Sequence, residues 1–168
     1  AIVAQLTSSL KTPKDQLAAR IAELSANLKA AEKKIAQFEA KALEGRIPAL
    51  AAGAKATGAF RVVAESVGSA ASADDVRSLA LQVRERVGGD AVIALGAEVS
   101  GRPVVIVATG DAARAAGAKA GVLAKAAAAA LGGGGGGRDD VAQGGGTDAA
   151  ALPAALQAVV RALEAPTA

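Results

Sequence analysis

Residues 132–146 read GGGGGGRDDVAQGGG, and no other stretch restricts the fold of this chain so tightly. Two glycine runs bracket Arg138, Asp139, Asp140, Val141, Ala142 and Gln143, so a backbone free to reach φ > 0 surrounds a short charged and polar insert. A flexible glycine linker has no use for that insert. Upstream, residues 118–131 read as a helix, and downstream Thr147 and Asp148 can cap a second helix starting near Ala149. The stretch is therefore expected to be a loop held at both ends, with little chain beyond it for a linker to join.

Its chemistry narrows by exclusion. Six consecutive glycines satisfy G-x-G-x-x-G automatically, so that pattern says nothing about dinucleotides here. A phosphate-cradling NTPase loop ends in Gly-Lys-Ser or Gly-Lys-Thr, whereas this one continues Gly137, Arg138, Asp139. What remains is a loop that offers backbone N–H groups at close range, beside one arginine, to something bulky and polar.

The chain has neither Cys nor His, which removes thiol nucleophiles, imidazole bases, disulfides and the usual zinc ligands together. Asp74 and Asp75 fit the first turn of a helix, where they face a positive dipole end. Asp139 and Asp140 supply too few ligands for a divalent cation. No catalytic residue, metal or cofactor is assigned. The net charge of +3 sits wholly in residues 1–50, which hold eight Lys and Arg against five Asp and Glu. Any nucleic-acid surface on the remainder must therefore be local. Aromatics make up 1% of the chain, so base stacking is excluded and recognition of folded RNA through phosphates and 2′-hydroxyls stays open. The absence of any Met predicts a piece of a longer protein. No apolar run approaches the roughly 20 residues that span a bilayer, so a soluble, cytoplasmic chain is expected with no membrane partner.

In chain order, Ile2, Val3, Leu6 and Leu10 fall at helical spacing, and Thr12-Pro13 breaks the pattern. Thr12 as N-cap, Pro13 at the first helical position and Asp15 in the first turn predict a new helix. From there Leu17, Ile21, Leu24, Leu28, Ile35 and Phe38 form a heptad seam running to Gly45. Either the first helix folds back over this seam as a hairpin, or a second copy of the chain pairs with it as a coiled coil. Residues 46–59, with Pro48, Gly53 and Gly58, read as a linker between the arm (1–45) and a globular domain (60–168). In that domain, a strand at 60–67, a helix at 72–87 and a strand at 90–99 predict a parallel, right-handed unit. Ser100-Gly101-Arg102 turns into an antiparallel strand at 104–108. A last helix, 149–164, carries Leu152, Leu156, Val159, Val160 and Leu163 on one face. The fold class is α+β: a helical hairpin or coiled-coil arm, then a mixed sheet packed by helices.

The run from Gly132 to Leu156 resembles the glycine-rich signature of the C-terminal, DHH-associated domain of alanyl-tRNA synthetases, a domain shared with DHH phosphoesterases. Arg138, Asp140, Ala142, Gln143, Gly144 to Gly146 and Thr147-Asp148 fit that pattern. Asp139 stands where the family usually has Pro, and Val141 where it commonly has Met or Phe. Residues 1–45 resemble the helical arm preceding this domain, and residues 60–164 its globular part. The resemblance implies a tRNA partner, tRNA-Ala in particular, contacted at its outer corner, with a role linking aminoacylation and editing. It also implies that the rest of the chain would be the ATP-dependent ligase, with this piece non-catalytic. The RNA-binding set would comprise Gly134, Gly135, Gly136, Gly137, Arg138, Asp140, Gln143, Gly144 and Gly145, joined by Lys119, Lys125 and Arg114. Leu17, Ile21, Leu24, Leu28, Ile35 and Phe38 would make a homodimer seam. Three other readings remain: a nucleotide-binding or nucleic-acid-end-binding domain of a DHH phosphoesterase, whose equivalent loop typically carries His; a purely structural oligomerisation module; and a free-standing editing-type hydrolase of the same wider family, with zinc ligands elsewhere in the protein.

Overall fold

The computed structural model describes residues 1–165. The last three positions of the expected globular domain, 166–168, lie outside the described residues. The chain divides into two compact units, Ala1–Phe38 and Glu39–Ala168.

The first unit holds α1 (Ile2–Leu10) and most of α2 (Leu17–Glu44). Lys11 ends α1 in a left-handed conformation with φ 48°. The expected Thr12 cap does not form. The Thr12 hydroxyl instead donates to the Leu10 carbonyl at 2.8 Å, and Pro13 leads into a short 3-10 turn, Lys14–Gln16, before α2 begins. The helix reaches Glu44 as its heptad pattern predicts. The short α1 leaves the seam open: Ile21, Leu24, Leu28, Ile35 and Phe38 are 48, 38, 60, 57 and 69% exposed. Leu17 departs from the expected open seam, being only 9% exposed within the single chain.

The second unit begins earlier than the sequence suggests. The span 46–59 is not a bare linker, since it contains α3 (Ile47–Ala52) and β1 (Lys55–Thr57). Pro48 and Gly53, read as breakers, are the first-turn and C-cap residues of α3, and Gly58 (φ 59°) turns the chain from β1 into β2. Elements of six and three residues are too short to display a period. Leu43 and Leu50 are both buried in the core of this unit.

The next elements follow expectation. β2 (Phe60–Ala70) pairs in parallel with β3 (Ala91–Val99) across α4 (Ala73–Val87). The Ser72 hydroxyl accepts the Asp75 N–H at 3.2 Å and caps α4. Ser100 (φ 52°) and Gly101 (φ 75°) form a two-residue turn with both central φ values positive, which matches strand twist and returns β4 (Arg102–Thr109) antiparallel. Then come α5 (Asp111–Ala115) and α6 (Ala120–Ala130).

The glycine stretch is not a loop. It forms a hairpin, β5 (Gly135–Gly137) and β6 (Val141–Gly145), that completes a six-stranded sheet of order β1-β2-β3-β4-β6-β5. Asp148 accepts the Ala150 N–H at 3.1 Å to start a 3-10 turn, Ala149–Ala151, which runs into α7 (Leu152–Glu164). Strand alternation splits the core. Val92, Ala94, Val105 and Val107 face α6 and α7, while Ile93, Leu95 and Ile106 face α3 and α4. Each fully buried Val, Leu or Ile contributes about 1.5–3 kcal/mol.

Candidate nucleic-acid interface

α6 lies on the hairpin with backbone almost against backbone. A Cβ added at Gly144 would stand 2.6 Å from the Ala124 carbonyl oxygen, and one at Gly135 would stand 2.9 Å from the same atom. A Cβ at Gly121, on the helix, would meet the Gly137 carbonyl at 2.9 Å. The two closing glycines are tighter still: Gly133 would strike the Gly145 oxygen at 2.0 Å and Gly146 the Leu131 oxygen at 2.1 Å. On this face glycine serves close packing of an alanine-rich helix. The opposite face differs, because a Cβ at Gly134 has nothing within 4 Å, and one at Gly136 has only the Lys125 Cε at 3.9 Å.

The hairpin turn, residues 138–140, is fixed by its backbone. The Asp139 carbonyl accepts the Thr109 hydroxyl at 2.6 Å and the Ala120 N–H at 3.0 Å, and the Asp140 carbonyl accepts the Thr109 N–H at 2.9 Å. Thr109 is fully buried, so the end of β4 and the start of α6 both hold the turn. Arg138 projects from it with 78% of its side chain exposed, forked onto the Asp140 carboxylate at 3.2 Å.

Around this turn the fold gathers cations from four segments. Lys119 precedes α6, next to the Ala120 N–H that binds Asp139. Lys125 is exposed one and a half turns along α6 and lies against Gly136. Arg114, at the end of α5, lines a cavity of about 290 Å³ together with Asp140, Arg84, Gly88, Gly89 and Gly110. Its guanidinium is engaged by the Thr109 carbonyl and by Asp111, and its side chain is far less exposed than that of Arg138. Arg84 of α4 reaches the Asp140 carbonyl at 3.5 Å and Glu85 at 3.2 Å. Sequence reasoning missed Arg84, because only the tertiary fold brings the last turn of α4 to residue 140.

A family model described as the DHHA1 domain matches residues 59–165. The chain belongs to the DHHA1 domain family. Its relatives include the alanine–tRNA ligase of Clavibacter sepedonicus, 59% identical over 165 residues that cover 98% of this chain and 19% of that one. The ligase of Leifsonia xyli subsp. xyli is 58% identical over 96% of this chain and 18% of its own length. The ligase of Acidothermus cellulolyticus is 46% identical over 73% of this chain and 14% of its own. The chain thus spans less than a fifth of the length of these relatives. Among solved structures, the C-Ala domain from Aquifex aeolicus alanyl-tRNA synthetase superposes with a TM-score of 0.60, covering 67% of this chain and 98% of that one. At 22% identity that likeness is one of fold.

Within the DHHA1 domain, the glycines expected to bind RNA separate into two groups. Gly135 and Gly144 face α6 and are packed closed, while Gly134 and Gly136 face outward. Although glycine leaves the backbone free to reach φ > 0, neither Gly144 nor Gly145 does so. Gly144 is required for packing, and Gly145 has room, its nearest neighbour being the Pro103 carbonyl at 3.4 Å. Gln143 is half-buried in the middle of β6, opposite Ile106 and Gly136. Among the described residues, no group of three or more acidic side chains could hold a metal ion, and no helix is long and apolar enough to cross a membrane. The hairpin brings together one exposed guanidinium, paired with Asp140, and two exposed lysines, groups whose chemistry suits an anion.

Proposed function

We propose that this chain is the tRNA-binding C-terminal segment of an alanine–tRNA ligase, holding the outer corner of tRNA-Ala with the turn and outward face of its glycine hairpin. The observation that carries the reading is the convergence of Arg138, Lys119 and Lys125 on a hairpin turn anchored at Thr109, in a chain whose relatives are named as tRNA ligases. The ligase chemistry belongs to the rest of such a protein, and this segment contributes RNA contacts that assist aminoacylation and editing. With only two aromatic residues, Phe38 and Phe60, the surface reads RNA through its sugar–phosphate backbone and shape.

Counterion release sets the magnitude. Lys119, Lys125 and Arg138, the last exchanging Asp140 for phosphate, give a salt slope of about −2 to −4, shallow for a nucleic-acid binder, so micromolar affinity is expected. Titration of the chain with intact tRNA, tRNA with a disrupted corner and a plain duplex, each at two salt concentrations, tests the reading. Intact tRNA binds tightest, and Arg138→Ala weakens it by about 1–2 kcal/mol through loss of a charge-assisted forked contact. Equal binding of all three RNAs, or no effect of Arg138→Ala, contradicts it.

We further propose that Ile21, Leu24, Leu28, Ile35 and Phe38 pair two copies of the arm. Their exposure in the single chain supports this, since an open apolar stripe of this length on one helix is covered in water by a partner.

A further inference from the structure

The sheet face opposite α6 and α7 is incompletely covered. α4 packs on β2, β3 and β4, and α3 packs on α4 and β2. Beyond them, Val141, Gln143 and Gly145 of β6 are only half-buried and Gly134 is exposed. The flank of α4 that looks toward this open strip can be assigned. Asp75, Ser78 and Gln82 lie on the other flank, lining a crevice with Leu43. Arg77 and Arg84 are seven residues apart, on the same side of the buried stripe Val76, Ala80, Val83 and Val87. Arg84 touches the Asp140 carbonyl at the entry to β6.

Register then locates Arg77. β6 runs parallel to β3, because both are antiparallel to β4, and the crossover helix α4 runs back against them. Seven helical residues cover about 10 Å, which is about three residues of strand. Projected along that register, Arg77 falls level with the middle of β6, near Gln143. Its Nε atom is buried with no hydrogen-bond partner, and its guanidinium makes no ion pair among the described residues. A buried, unpaired N–H costs free energy and is rare in folded proteins, so the half-buried Arg77 side chain gains by turning its guanidinium outward to an acceptor.

We propose that the cleft between the Arg77–Arg84 flank of α4 and the outward face of the glycine hairpin is a track for the sugar–phosphate backbone of a folded RNA, in which each arginine closes on one phosphate. The inference rests on the RNA-binding reading of the hairpin and extends it to a face and two residues outside the glycine signature. Gly134 and Gly136 leave the floor free of Cβ atoms, and Lys125 reaches the outer strand from the other side.

The test compares the wild-type chain with Arg77→Met, Arg77→Lys and Arg84→Gln in titrations with an in vitro transcribed tRNA at about 50 and 200 mM salt. Arg77→Met is expected to weaken binding about five- to tenfold and to flatten the salt slope by about 0.7–0.9, the share of one phosphate. Its melting temperature stays the same or rises, because the orphan donor is gone, and Arg77→Lys keeps most of the slope. Arg84→Gln moves affinity in the same direction. If Arg77→Met and Arg84→Gln bind like wild type while Arg138→Ala is impaired, the cleft is not the track and the hairpin reading survives. A melting temperature that falls in step with affinity makes Arg77 structural and overturns the proposal. If wild type does not bind tRNA at all, the parent reading falls and this one with it.

Discussion

The seam of α2 and the glycine hairpin are opposites. The seam is written in large side chains at a regular spacing, and in the single chain those side chains lie exposed, Phe38 most of all at 69%. The hairpin has almost no side chains and no period, yet Gly133, Gly135, Gly144 and Gly146 sit within 3 Å of backbone they would strike if they carried a Cβ. Hydrophobic spacing thus announces that a helix needs a partner without saying which. A glycine run can announce that two backbones meet, and the sequence alone does not separate that from flexibility.

The largest effect expected from this contrast is at Gly144. Replacing it with Val adds three carbons, the first of them 2.6 Å from the Ala124 carbonyl oxygen, and destabilises the domain by about 3 kcal/mol or more, read by urea unfolding. A variant as stable as wild type would mean that α6 can lift from the hairpin and that these glycines are conformational after all.

The seam should respond the other way. Leu24→Glu combined with Ile35→Glu leaves the unfolding of the sheet unit unchanged but converts a self-associating chain to monomer in sedimentation at tens of micromolar. Each buried apolar side chain lost from a paired seam removes about 1.5–3 kcal/mol of association. A wild-type chain that is already monomeric at that concentration would leave the exposed stripe without the proposed partner.

How much of this was legible follows from the same contrast. The β2–α4–β3 unit could be read because its apolar runs are long and Ser72 lies three residues before Asp75, a spacing that the cap hydrogen bond uses directly. The Ser100–Gly101 turn was legible for a similar reason, since local chemistry decides it. α3 and β1 were not, because six and three residues carry no period and their Pro and Gly read equally well as breakers. The hairpin was read as a loop because strand assignment relies on side chains alternating between faces, and Gly135, Gly136 and Gly137 have none. Of the candidate site, Arg138, Lys119 and Lys125 were legible by proximity to the signature. Arg77 and Arg84 were not, since about 60 residues of chain and a register in space separate them from the strand they face.

The smallest expected effect sharpens the division of the hairpin itself. Gly134→Ala points a methyl group into open space, so stability stays within about 0.5 kcal/mol of wild type. Its tRNA affinity falls measurably, because the new Cβ stands on the face assigned to RNA. Unchanged affinity would confine the contact to Arg138 and the turn.

The most direct test of where RNA binds is the set of backbone amide shifts recorded as tRNA is added to the isotope-labelled chain. The account predicts changes concentrated at Gly134, Gly136, Arg138, Gln143 and the Arg77–Arg84 flank of α4, with the amides of Ile21 to Phe38 unmoved. Saturating tRNA that shifts the α2 seam or the exposed side of α7, and leaves the hairpin turn still, would contradict it.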